Sequence, residues 1–298
     1  MKISIIGTGR LGGLIAFLVA DRGLADELVL IDVNKDHAEG QALDLRHAFL
    51  KAGKNIKISS GDYAAAKGSQ IVIVTAGKPR TAATSSRSEL LAENAKIIRQ
   101  ISKEIKSHCF GAVLITTTNP VDPINYILWK ETGSDRSKII GFGGLLDSGR
   151  LGAILSEEIK TTFSYEVMGE HGENMVPLFT RLKVHLSGEQ KEKIRSRLLG
   201  SAKEVIEKKG ATEYGPASHI LRIVEAITGD KKETLPCSCI LEGEYGISDV
   251  SLGVPAIIGK EGIEKIEEWR LDSQEAEMLK KAAEKVRGEV KQAEETLV

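Results

Sequence analysis

The first 32 residues constrain the chain more than any other stretch: MKISIIGTGRLGGLIAFLVADRGLADELVLID. An apolar run from Ile3 to Ile6 leads directly into Gly7-Thr8-Gly9-Arg10-Leu11-Gly12. Leu11, Leu14, Ile15 and Leu18 then recur at helical spacing, and a second apolar run, Leu28 to Ile31, ends at Asp32. Strand, glycine turn, helix, strand and acid, in that order, are the parts of a dinucleotide-binding unit. Gly7 permits the tight turn, Gly9 lets backbone approach a pyrophosphate, and Gly12 lets helix and strand pack closely. The helix N-terminus offers unpaired N–H groups and the positive end of its dipole to phosphates. Asp32 stands twenty residues beyond Gly12. A carboxylate there accepts from ribose hydroxyls and repels a 2′-phosphate, so NAD is expected over NADP, with Lys35 close enough to soften the preference. A glycine turn alone can serve packing only; the flanking elements and the acid make a bound dinucleotide the expectation.

The rest of the first half continues the alternation. Residues 36–51 read as a helix with Ala38, Ala42, Leu45 and Phe49 on one stripe, and His37 and His47 solvated. Short strands are expected at 56–58 and 71–74, a helix from Ser88 (its N-cap) to Lys106, and strands at 112–115 and 139–140. Strands alternating with helices imply an α/β fold with a doubly wound parallel sheet of the Rossmann type. The pattern changes near residue 144. Helices at 145–158, 189–209, 214–228 and 273–296 and antiparallel strands at 234–241 and 247–255 suggest an α+β domain. The expected division is 1–144 for the dinucleotide and 145–298 for the substrate.

Composition narrows the function. With 298 residues, 28% charged and 41% hydrophobic, the chain suits a two-domain globular protein. A net charge of −1 supplies no general field for nucleic acid or an anionic membrane, so neither is expected as a partner. No apolar run approaches the ~20 residues of a membrane span, and the N-terminal run has a strand's length, so neither anchor nor signal peptide is expected. Three cysteines, Cys109, Cys237 and Cys239, form no disulfide framework, and a reducing, cytoplasmic compartment follows. Cys237 and Cys239 fit alternation along a strand better than a metal or redox pair, and no metal is expected.

Three segments carry candidate chemistry. Thr75-Ala76-Gly77 ends a strand where backbone can pass a cofactor, and Thr116-Thr117-Thr118-Asn119-Pro120 ends another with an amide that both donates and accepts. Asp147 and Arg150 are three apart on one helical face, and His171 lies between glycines in Gly169-Glu170-His171-Gly172. An aspartate, a histidine and arginines can form an acid/base dyad with a carboxylate clamp, although each also has an ordinary reading as a surface pair or turn histidine. Lys78 to Ser88 holds two arginines and no apolar anchor, as befits a loop that closes over substrate or a plain surface loop.

Taken in order, GTGRLG with Asp32, TAG at 75–77, TNP at 118–120, LDSGR at 146–150, GEHG at 169–172, KGAT at 209–212, and LEGEYG followed by GVPAIIG resemble the lactate/malate dehydrogenase family. The likeness is strongest to the lactate-dehydrogenase-like malate dehydrogenases of archaea and covers nearly the whole chain. It implies His171 as proton donor and acceptor, Asp147 orienting it, and Arg150 as a fork on the substrate carboxylate. It also implies Arg87 polarising the carbonyl, Asn119 touching substrate and nicotinamide, and Thr212 near the pocket. Arg80 matches the arginine that reads a second carboxylate. The cofactor set is then Gly7, Thr8, Gly9, Arg10, Leu11, Gly12, Asp32, Thr75, Ala76, Gly77, Asn94, Thr117 and Asn119. The expected activity is NAD-dependent interconversion of malate and oxaloacetate by a homodimer or homotetramer, with the 36–51 helix at an interface. The loop departs from the family pattern R-K-P-G-M-x-R. Arg87 follows Arg80 by seven positions, with Thr81 to Ser86 between them and no proline or glycine. A lactate or broad 2-ketoacid dehydrogenase therefore stays open, as does a catalytically silent NAD-binding protein.

Overall fold

The computed structural model describes residues 1–50, 52–53, 55–78, 87–159 and 164–297, with Arg87 described in its backbone alone. The expectations placed on Arg80, on Thr81 and on the Arg87 side chain lie outside the described residues.

β1 (Lys2–Ile6), α1 (Arg10–Asp21), β2 (Glu27–Ile31), α2 (Lys35–Leu50) and β3 (Lys57–Ser60) open the chain. β4 (Ile71–Val74), α3 (Arg87–His108), β5 (Val113–Thr116), α4 (Val121–Thr132) and β6 (Ile139–Gly141) follow. The six strands are parallel in the order β3-β2-β1-β4-β5-β6, the doubly wound arrangement. β4 is buried throughout, which explains its unbroken Ile-Val-Ile-Val. In β1 the buried Ser4 hydroxyl meets the Ser69 hydroxyl at 2.7 Å, so the polar atom is satisfied within the core. The reversal between β1 and β4 opens a crevice at the carboxyl ends of the strands, where ligands bind in such sheets.

The second half begins with α5 (Gly144–Ile159), β7 (Val167–Gly169), β8 (Met175–Pro177), α6 (Gly188–Lys209) and α7 (Tyr214–Thr228). β9 (Glu233–Glu242), β10 (Ser248–Gly259), β11 (Gly262–Ile266) and α8 (Ser273–Leu297) complete it. The sheet does not stop at the change in pattern. β9 pairs antiparallel with β6 at Gly141 and Ser238, and β10, β7 and β8 extend the same sheet. Gly141 has to be small, because a Cβ there would lie 2.6 Å from the Ser238 Cβ.

Helix ends and faces follow the residues that make them. α6 starts in a capping box, Ser187 accepting from the Gln190 N–H while the Gln190 side chain accepts from the Ser187 N–H. α4 stops at Gly133, which takes φ +64° and donates to the Trp129 carbonyl. α8 buries Leu279, Ala283, Val286, Val290 and Ala293, the stripe expected of it, and each large apolar side chain there contributes about 1.5–3 kcal/mol.

Three expectations need correction. Ser88 is not an N-cap: α3 already includes Arg87, so Ser88 lies in the first turn. β3 falls at 57–60 and not 56–58. His37 is exposed but not merely solvated, since its Nε2 lies 2.9 Å from the Thr8 carbonyl.

Candidate active site

The glycine turn is held from three sides. The Gly7 N–H donates to the Ile31 carbonyl at 2.7 Å, and the Thr75 hydroxyl donates to the Gly7 carbonyl at 2.5 Å. Gly7 adopts φ +94°, and a Cβ there would sit 2.5 Å from the Ala76 nitrogen. At Gly12 a Cβ would lie 2.0 Å from the Gly7 carbonyl oxygen, so α1 approaches the turn as closely as only glycine allows. Gly9 is different: the space where its Cβ would point is open, beside the first turn of α1. Two glycines thus close the turn and the third leaves it accessible, which fits a pyrophosphate laid across the helix N-terminus.

Asp32 sits half-buried at the end of β2. Its Oδ2 accepts from the Thr8 N–H at 2.7 Å and the Thr8 hydroxyl at 3.1 Å, while Oδ1 accepts from the Asn34 N–H at 3.0 Å. The carboxylate is therefore fixed beside the turn, in place for ribose hydroxyls. Thr8 is wholly buried and its hydroxyl is turned to Asp32, so it supports the acid from below. Arg10 is exposed and meets Glu213 at 3.4 Å, which brings the 209–213 segment, with Thr212, across to the glycine turn. Leu11, Ala76 and Thr117 are half-buried around the crevice, and Gly77 and Asn119 are exposed in it.

Asn94, expected among the cofactor residues, lies between the segments that end β4 and β5. It is fully buried, accepts from the Lys78 N–H at 2.7 Å, and donates to the carbonyls of Lys78 and Asn119 at 3.2 and 2.6 Å. Its amide braces the two segments that carry Gly77 and Asn119.

The residues expected to do acid/base chemistry converge on Asp147. α5 begins at Gly144, so Asp147 lies in its first turn, where the helix dipole favours an anion. One carboxylate oxygen meets His171 Nδ1 at 2.6 Å and the other accepts from Arg150 Nη1 at 3.0 Å. Asp147 is 2% exposed, and His171 and Arg150 are each 16% exposed. Nδ1–H donating to Asp147 leaves Nε2 as the ring atom that can exchange a proton with a ligand. Burial works against a charged imidazole, but Asp147, by its charge and its hydrogen bond, overrides this and holds the His171 pKa above the ordinary histidine value. No other described residue takes the Arg150 guanidinium, so the rest of its fork is available.

Two residues that sequence reasoning passed over build this site. Gly143 makes room for the histidine, because a Cβ there would lie 2.8 Å from the His171 Cβ. Asp122, in the first turn of α4, is 1% exposed, and its Oδ2 accepts from the His171 N–H at 2.8 Å. The GFGG run was the signal for the first; a single acid in the apolar stretch VDPINYIL was the signal for the second. Among the described residues no metal-holding group of His, Cys, Asp and Glu occurs, and no described helix is long and apolar enough to cross a membrane.

A glycine turn fit for a dinucleotide, and an Asp–His pair with a partly free arginine on the helix that follows β6 in the same sheet, can together move a hydride at one atom and a proton at another. Comparison with known proteins agrees. Residues 1–141 match the family model of the lactate/malate dehydrogenase NAD binding domain, and residues 145–297 that of the alpha/beta C-terminal domain. A malate dehydrogenase from Halobacterium salinarum is 40% identical, with 96% of this chain and 97% of that protein covered. L-lactate dehydrogenase 1 of Clostridium acetobutylicum is 39% identical, with 95% of each covered. The structure of a malate dehydrogenase from Archaeoglobus fulgidus in complex with NADH superposes with a TM-score of 0.91 at 36% identity, covering 98% of this chain and 99% of that one. The chain belongs to the lactate/malate dehydrogenase family and is an NAD-dependent oxidoreductase.

Proposed function

We propose that this chain is a malate dehydrogenase, interconverting malate and oxaloacetate. The observation that carries the reading is the division of the Asp147 carboxylate between His171 and Arg150. The cofactor, when bound, supplies or accepts the hydride. Every other task falls to the chain. Arg150 grips the carboxylate next to the reacting carbon as a two-pronged fork. His171 Nε2 gives its proton to the carbonyl oxygen during reduction and takes it back during oxidation. Asp147 stabilises the imidazolium that this exchange requires. Arg87 takes the role that the family resemblance gives it, stabilising the negative charge that develops on the carbonyl oxygen. Asn119 contacts both substrate and nicotinamide, and Thr212 lines the pocket. In this reading the first 144 residues hold the cofactor and the remainder the substrate. The protein works as a homodimer or homotetramer in the cytoplasm, with α2 at an interface; three buried free thiols support a reducing compartment.

The choice of malate rests on the relatives named malate dehydrogenase and on Arg80, whose planar fork suits a second carboxylate. The longer stretch between Arg80 and Arg87, without proline or glycine, favours some native activity on pyruvate. Following NADH oxidation with each substrate decides between them. A higher kcat/KM for oxaloacetate is expected; a preference for pyruvate would make the chain a lactate or broad 2-ketoacid dehydrogenase. Turnover of neither would leave an NAD-binding protein without this chemistry. Arg80→Gln is expected to lower kcat/KM for oxaloacetate by roughly 10²-fold, about 3 kcal/mol, because a buried carboxylate loses its partner. Pyruvate reduction should fall far less, and an equal fall for both would make Arg80 structural.

Cofactor preference has its own test. Asp32→Ala removes the charge that repels a 2′-phosphate, and should narrow the ratio of kcat/KM values for NADH and NADPH. An unchanged ratio would take Asp32 out of cofactor discrimination.

A further inference from the structure

Behind the Asp147–His171 pair lies a buried polar cluster that the mechanism above does not use. Asp122 Oδ1 accepts from the Ser238 hydroxyl at 2.5 Å, and Oδ2 accepts from the His171 N–H at 2.8 Å. Ser238 Oγ lies 2.8 Å from Ser251 Oγ, and Asn125 donates to Ser251 Oγ at 2.9 Å and to the Ser238 carbonyl at 3.2 Å. Asp122, Asn125, Ser238 and Ser251 are each at most 1% exposed. Four elements meet there: α4, the turn after β7, β9 and β10. A carboxylate in such a place is costly unless something requires it, and a packing role would be met more cheaply by apolar side chains. Both hydrogen bonds to it are donated, as a carboxylate needs. One of them fixes the main chain of the residue whose imidazole exchanges the proton. Asp122 is also three residues beyond Asn119, so the same side chain ties the substrate-side strand end to the histidine.

We propose that Asp122 is a positioning residue for the reaction, holding the His171 main chain in register with Asn119 and adding a second negative charge on the inner side of the imidazolium. This rests on the reading of His171 as the proton donor. The charged and titratable groups around it are few. Glu170 and His171 face it from the turn after β7 and Cys239 from β9, while Asp147 and Arg150 of α5 act on it through His171. Burial pushes the Asp122 carboxyl up to about 7, against the pull of the bonds from Ser238 and His171. Its charge is therefore sensitive to the loss of either bond.

The test uses Asp122→Asn and Ser238→Ala in the full-length enzyme. An asparagine oxygen still accepts from the His171 N–H, and its amide can donate to Ser238, so the fold is retained while the charge is lost. The upper limb of the pH profile of oxaloacetate reduction is expected to move down by about one unit, the scale for losing an opposite charge close by. kcat should fall about tenfold at the wild-type optimum, and KM for NADH should stay within twofold. Ser238→Ala, which leaves Asp122 but removes a donor that keeps it ionised, should move the same limb in the same direction by less. If Asp122→Asn does not fold, Ser238→Ala carries the test alone. A pH profile that matches the wild type, with loss confined to thermal stability, would overturn the proposal. Full turnover in His171→Asn would instead overturn the reading beneath it.

Discussion

Replacing His171 with asparagine is expected to lower kcat for oxaloacetate reduction by at least ~10²-fold, the usual scale of general acid/base catalysis. Asparagine can still meet Asp147, so the pocket keeps its shape, but no group remains that can deliver a proton at neutral pH. NADH affinity, measured by fluorescence titration, should change little. In the proposed reading the phosphates lie at Gly7, Gly9 and Gly12 and the ribose at Asp32, apart from the histidine. Turnover close to wild type would remove His171 from the chemistry. Loss of NADH binding in parallel would point to collapse of the site.

The second large effect is expected at Asp147. Asp147→Asn deprives the imidazolium of its partner, so the His171 pKa should fall toward and below the ordinary value. In the proposed mechanism reduction uses the protonated imidazole, so activity is expected to be lost as pH rises through its pKa. The upper limb of the profile should therefore move to lower pH, and the rate at neutral pH should fall by about 10²-fold. The stability linkage has the same sign. A histidine whose folded pKa is raised contributes stability that is complete below its unfolded value and lost as pH rises through the folded value. Thermal melts of the wild type should lose that contribution over this window, and those of Asp147→Asn should not. A profile and a melting curve with unchanged pH dependence would separate Asp147 from the histidine.

Sequence reasoning reached some of these residues and not others, for physical reasons. Asp32 could be placed because its strand, turn and helix are local, and each part has a characteristic spacing. Asp147 and Arg150 could be paired because three residues apart on a helix is one face. Their meeting with His171 is tertiary; residue types suggested the chemistry, and only the family resemblance, not local spacing, implied the contact. Asp122 was invisible as a functional residue: its partners are the Ser238 hydroxyl on β9 and the His171 main chain in the turn after β7, both brought to it by tertiary structure alone. Asn94 shows how little a residue type alone can say. On α3 its residue type allows a ligand contact or an internal brace, and only the distances to Lys78 and Asn119 separate the two. β7 and β8 span three residues each, too short for alternation to declare a strand.

The joint between β6 and β9 bears on how far such a protein can be taken apart. Family models match the two halves separately, on either side of residues 142–144. Their sheet is nevertheless one sheet, stitched where Gly141 faces Ser238. A cut at that point would leave β6 as an open edge with unpaired backbone, a template for aggregation. Transplanting a cofactor half from a relative would carry the same demand, since any side chain at 141 would collide with Ser238. The halves are separable as records of ancestry but not as objects, and the unit that can be exchanged between relatives is a half together with the strand that seals its edge.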